Sequence, residues 1–171
     1  MLENWVWEPE ALARLSGHVD DARPLPPELT ETLIKSRQAN AGIFNKRQIL
    51  LATFDQAIHT RAEVDTAQVL GELTQEYSMF QMTPETNMAA SFGHLAGGYD
   101  SQYYGYLYSE VFSMDMFRTR FKAGGLFSAA VGRDYRKWIL APGGSKDATE
   151  LLRDFLGREP TPEAFLQSKG L

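Results

Sequence analysis

Residues 41 to 59 read AGIFNKRQILLATFDQAIH, and Ile49, Leu50, Phe54 and Ile58 recur there at the spacing of one helical face. The helix is expected to begin at Ala41 or Phe44 and to end at His59. Nowhere does the chain alternate apolar and polar residues with the period of two that a half-buried strand requires. Helical stripes without strands can be buried only against other helices, so the spacing predicts an all-α fold.

Further stripes fill most of the chain. In MLENWVW, Met1, Leu2, Trp5 and Val6 fall on one helical face with no capping residue ahead of them. That pattern predicts a start cut through a helix of a larger protein; a short, poorly capped terminal helix is the alternative. Ala11 to Leu15 follow Pro9 and stop at Gly17, while Pro26 and Pro27 open a helix carrying Leu29, Leu33 and Ile34. Asp65 with Gln68 resembles a capping box ahead of Val69, Leu70, Leu73 and Tyr77. Residues 100 to 121 read as one long helix, and Val131, Tyr135, Trp138 and Ile139 mark another. Ser145 is expected to cap the run Leu151, Leu152, Phe155 and Leu156, which stops at Gly157. Thr161 and Pro162 then open a last helix around Phe165 and Leu166.

At 171 residues the chain is one domain's worth of sequence, long enough to bury a core. A net charge of -5 and the lack of a dense basic stripe argue against a nucleic-acid surface. No apolar run has the length of a membrane span, and no signal-peptide pattern opens the sequence. With no cysteine, disulfides, thiol catalysis and thiolate metal sites are excluded, and a cytoplasmic location is expected.

One stretch departs from ordinary core composition. GHLAGGYDSQYYGY, residues 93 to 106, holds a histidine, a glycine pair and four tyrosines. A sealed core favours aliphatic residues, because each buried phenol needs a hydrogen-bond partner. Asp100 or Ser101 can cap a following helix, on which Tyr103 and Tyr106, three apart, share a face. Tyr99 precedes that cap on a backbone loosened by Gly97 and Gly98. The three phenols can thus converge on one spot with His94. A phenol titrates near 10 and donates at neutral pH, and such a donor aimed at a developing oxyanion stabilises it by roughly 3 to 4 kcal/mol in a dry site. The same residues are also compatible with a hydrogen-bonded turn histidine and tyrosines packed at the surface. Tyr104 and Tyr108 point elsewhere and are expected to pack.

The chain contains no complete catalytic set. His18, His59 and His94 never pair at H-x-x-x-H spacing, and H-E-x-x-H, G-x-S-x-G and P-loop patterns are absent. His59 ends an amphipathic helix, where the helix dipole or plain exposure accounts for it.

MLENWVW, SRQANAGIFNKRQILLATFDQAIH, FGHLAGGYDSQYYGYLYSEVFSMDMF and the closing FLGREP and FLQSKGL resemble the carboxyl-terminal part of the thimet oligopeptidase and neurolysin group, zinc metallopeptidases of family M3. The similarity runs over residues 1–171, as the C-terminal part of one catalytic domain. It implies a zinc enzyme hydrolysing short peptides in a deep channel, cytosolic and monomeric when full length. In that family H-E-F-G-H and a later glutamate hold the zinc and supply the general base, and these segments precede MLENW. The resemblance therefore implies no metal ligand in this chain, a partnership with the remainder of the catalytic domain, and inactivity of these residues alone. Glu3 falls about two helical turns beyond the ligand glutamate and takes a structural role. Carried over by motif, His94 and Tyr106 would donate to the tetrahedral intermediate. Tyr99 and Tyr103, with Gly97 and Gly98 in a flexing loop, would bind the peptide. Tyr108 stands where Trp is common and Ser101 where Ala is, and neither is a donor position. A dipeptide-releasing carboxypeptidase of the same class is an alternative, as is a non-catalytic helical module that binds peptides or a partner. Neither a membrane nor a nucleic acid is expected as partner.

Overall fold

The computed structural model describes residues 1–171 and contains helices and turns but no strand. Eight α-helices follow in order: α1 Pro9–Leu15, α2 Pro27–Ser36, α3 Ala41–His59, α4 Thr66–Ser78, α5 Gly105–Met116, α6 Ala129–Tyr135, α7 Ala148–Leu156 and α8 Glu163–Ser168. The chain divides into two compact units, one formed by residues 1–39 with 110–171 and the other by residues 40–109. No helix is long and apolar enough to cross a membrane.

The unit of residues 40–109 is built on α3 and α4. Leu50, Leu51 and Phe54 of α3 pack with Val69 and Leu70 of α4, with Ala89 and with the ring of Tyr103. The buried face of α3 is turned slightly from the expected one. Ile49 is exposed, whereas Leu51 and Asp55 are buried. Leu51, Phe54, Asp55 and Ile58 stand at i, i+3, i+4 and i+7, so the stripe is regular and one of its members is a carboxylate. Asp65 caps α4 by accepting the Gln68 amide at 3.0 Å. The capping box is only half formed, because the Gln68 side chain donates to Glu72 instead of reaching back.

In the other unit, Met116, Phe117, Phe121, Val131, Leu152, Phe155 and Leu156 form the core. The first residues make a 3-10 turn, Leu2–Trp7, rather than an α-helix. Met1 and Trp5 pack on the core while Leu2 and Val6 face solvent, so the apolar stripe expected there is only half used. Trp5 donates its indole N–H to the Leu126 carbonyl at 2.9 Å. Its ring meets Phe117 and Phe121 edge-on at 4.7 and 4.6 Å. Both phenylalanines lie in a π-helical turn, Phe117–Lys122.

Three local expectations are corrected. Helix α2 buries Thr30 and leaves Leu29 and Leu33 exposed. Asp147, not Ser145, caps α7 by accepting the Thr149 amide at 2.8 Å, and Gly157 ends that helix in the left-handed region as expected. Helix α1 ends on extended Ser16, and Gly17 lies outside the positive-φ region a glycine cap uses.

An ion pair with one buried partner ties this unit together. Asp115 is 1 % exposed and accepts from Arg158 at 2.5 and 2.9 Å, from Thr119 at 3.0 Å and from the Thr161 amide at 2.8 Å. Burial alone would raise its pKa, but those donors together outweigh burial and hold the carboxyl below the usual aspartate range.

Candidate functional site

The tyrosine-rich stretch belongs to the unit of residues 40–109, and its shape is set from a distance. Residues 100–121 do not form one helix: α5 begins only at Gly105. The cause is Asp55, fully buried on α3. Its carboxylate accepts the Ser101 amide at 3.0 Å and the Tyr103 amide at 2.9 Å. Gln56 donates to the Ser101 carbonyl at 2.8 Å. Groups that would otherwise enter a helix's first turn are thereby committed to α3. Ser101 sits at φ 59°, a left-handed conformation unusual for a residue with a side chain, and neither Asp100 nor Ser101 caps α5. His59 turns back on the same residue, its Nδ1 2.8 Å from the Asp55 main-chain carbonyl oxygen and 3.0 Å from Oδ1. The carbonyl contact is the one a histidine in a helix's last turn makes, and the nearby carboxylate adds to it.

The glycine pair serves shape as well as freedom. Gly98 is at φ +88°, a conformation only glycine adopts readily. A Cβ at Gly97 would lie 2.5 Å from the Gly93 carbonyl oxygen. The turn therefore closes on itself where a side chain would stand.

With the loop folded this way, the expected residues meet. His94 Nε2 lies 3.1 Å from the Tyr106 hydroxyl. The imidazole ring is 5.0 Å from Tyr103, 5.7 Å from Tyr106 and 5.9 Å from Tyr99, each edge-on. Phe92 backs the cluster at 5.0 Å from His94 and 5.2 Å from Tyr103. Exposure separates the tyrosines: Tyr103 is 6 % exposed, Tyr99 54 % and Tyr106 51 %. Tyr103 is thus largely core, while Tyr99 and Tyr106 are half exposed. An open cleft of about 490 Å³ runs along His94, Tyr99, Tyr103, Phe92 and Arg47. Tyr104 and Tyr108, expected to pack, lie about half exposed with their rings 6.1 Å apart.

Sequence reasoning missed Asp55, Gln56, Phe92 and Arg47. A carboxylate at a stripe position was the available signal for Asp55; nothing local marked the other three.

A wall of phenols and imidazole, open on one side and rigidly backed on the other, is suited to hydrogen-bonding the backbone of an extended ligand. The chain belongs to peptidase family M3, whose family model matches residues 1–171. It is similar to the thimet-like oligopeptidase of Dictyostelium discoideum, 40% identical over 100% of this chain and 26% of that protein. Saccharolysin of Saccharomyces cerevisiae (36% identical, 100% of this chain and 25% of that protein) and oligopeptidase A of Escherichia coli (35%, 99% and 26%) are further relatives. The chain spans about a quarter of the length of these relatives.

Proposed function

We propose that these residues form the substrate-side wall of an M3 peptidase that hydrolyses short peptides. The observation that carries the proposal is the His94–Tyr106 pair, whose Nε2 and hydroxyl oxygen lie 3.1 Å apart beside the cleft that His94 lines. With Nε2 protonated, the imidazole donates to the phenol oxygen and the phenol proton stays free. A carbonyl oxygen that gains negative charge between the two groups can take both protons, replacing a neutral hydrogen bond with two charge-assisted ones. Because the bonds strengthen as charge develops, they favour the transition state over the bound peptide. Tyr99 at the lip, on the turn that Gly97 and Gly98 shape, positions the peptide, while Tyr103, mostly buried, chiefly fixes the imidazole ring.

The M3 resemblance implies a zinc ion, which supplies an activated water for attack on the carbonyl. Among the residues of this chain no three His, Cys, Asp or Glu side chains stand close enough to hold a metal. The residues present therefore do not fit zinc, and no step here passes through it.

The test is Tyr106→Phe in the full-length polypeptide that carries this sequence, assayed with an internally quenched peptide. The substitution removes one proton and little volume, so kcat falls by about 10- to 1000-fold, about 1.4 to 4 kcal/mol, with metal content unchanged. An unaltered kcat removes Tyr106 from the mechanism.

A further inference from the structure

The cleft beside His94 adjoins a second cavity in the same unit, of about 460 Å³, walled by residues such as Ile43, Leu50, Leu70, Met79 and Phe80. Arg47, Leu51 and Met88 line both spaces. Two features of this pair of cavities stand out. Neither is lined by an aspartate or glutamate, yet Lys46 and Arg47 stand at the rim. The Arg47 guanidinium is exposed and makes no ion pair, hydrogen bond or ring contact with the rest of the chain. Arg14, Arg23, Arg37, Arg120, Arg153 and Arg158 do find such a partner, and the other arginines without one, Arg61, Arg118, Arg133 and Arg136, line neither cavity.

A free guanidinium between an apolar cavity and a polar cleft selects for a ligand with an anion beside an apolar group. An internal acidic residue does not meet that demand, since its carboxylate ends its own side chain. The last residue of a peptide does, because its α-carboxylate and its side chain leave the same carbon. Resting on the reading of the His94 cleft as a peptide site, we infer that Arg47 binds the terminal carboxylate of a substrate peptide while the adjoining cavity takes an apolar side chain of that last residue. The backbone leading to that residue then runs past the phenols and imidazole of the cleft. Such a pocket measures substrate from its carboxyl end and disfavours polypeptides whose terminus cannot enter.

Hydrolysis-resistant pentapeptides, labelled at the amino end and read by fluorescence anisotropy with the full-length polypeptide, test this. A peptide ending in Leu with a free carboxylate binds about 10-fold more tightly than its C-terminal amide. Arg47→Gln brings that ratio below about 2-fold and Arg47→Lys leaves it intermediate, because an ammonium keeps the charge and loses the fork. Replacing the terminal Leu by Ala weakens binding by about 10-fold in both wild type and Arg47→Gln, since the apolar contact is separate from the charge. Decanoate at the same concentration as the competing free-acid peptide displaces little label. Equal binding of acid and amide, or discrimination that survives in Arg47→Gln, overturns the inference. So does a decanoate affinity matching the peptide's, which would make this a site for lipid acids. Binding is read without turnover, so failure here and failure of the Tyr106→Phe experiment are separate results.

Discussion

Asp55 offers the sharpest test of how the site is built. Its side chain is fully buried, and it holds two backbone amides of the tyrosine loop at 3.0 and 2.9 Å. Asp55→Ala removes both bonds and leaves the Ser101 and Tyr103 N–H groups without an acceptor. Each buried donor so stranded costs about 1 to 3 kcal/mol. The Tyr103 amide is buried and takes the upper part of that range, while the Ser101 amide is only partly buried and takes the lower. The sum is about 3 to 5 kcal/mol, a large fraction of what a domain of this size has in reserve. Asp55→Asn keeps one acceptor oxygen and loses about half as much. The effect is local before it is global, because the loop can detach while α3 and α4 stay packed through Leu51, Phe54 and Leu70. Amide hydrogen exchange followed by mass spectrometry reads this directly. Peptides covering residues 99–105 lose protection in Asp55→Ala, while those covering residues 66–78 keep it. If protection over 99–105 survives the substitution, Asp55 does not set the loop and the account of the delayed α5 start is wrong.

Three further outcomes follow from other parts of the molecule. Gly97→Ala places a methyl group against the Gly93 carbonyl oxygen at 2.5 Å, so the loop must open; peptide affinity should fall more than in Gly98→Ala, whose cost is a strained φ of about 1 kcal/mol. Arg158→Ala breaks the pair with buried Asp115 and should lower stability by about 2 kcal/mol in urea titration, the modest figure reflecting an arginine half open to solvent. The Asp115 pKa is depressed in the folded state, so its contribution is complete above the unfolded value of about 3.9 and is lost as pH falls through the folded one. Wild type should therefore lose stability on acidification below about pH 4 more steeply than Arg158→Ala, and parallel curves would contradict that assignment.

How much of this was legible in the sequence depended on range. Where an element is defined by its own residues, the buried stripe was legible in α7 even though its cap is Asp147 and not Ser145. The stripe Leu151, Leu152, Phe155 and Leu156 is buried as a set and Gly157 ends it, and the Asp65 cap forms where its spacing placed it. Where a distant group intervenes, the local reading failed. The stretch from Asp100 has ordinary helix-starting chemistry, but Asp55, far away in sequence, takes the amides. The convergence of Tyr99, Tyr103 and Tyr106 on His94 was anticipated from a cap and a helical turn; the structure reaches it through a non-helical turn instead. That Tyr103 is core could not be seen locally, because burial depends on Phe92 and α3. Arg47 carries no sequence signal, since an arginine on a helix surface is ordinary until its neighbours prove to lack any carboxylate.

The wide turn at Phe117–Lys122 has an evolutionary consequence. Shortening it by one residue would restore ordinary helical geometry and make the backbone more regular, yet every residue beyond the cut would rotate by about 100° about the helix axis. Phe117 would keep its place under Trp5 and the residue standing at 121 would not. The irregular segment is thus the one least free to lose a codon, and variation there should proceed by exchanging residues while their number stays constant.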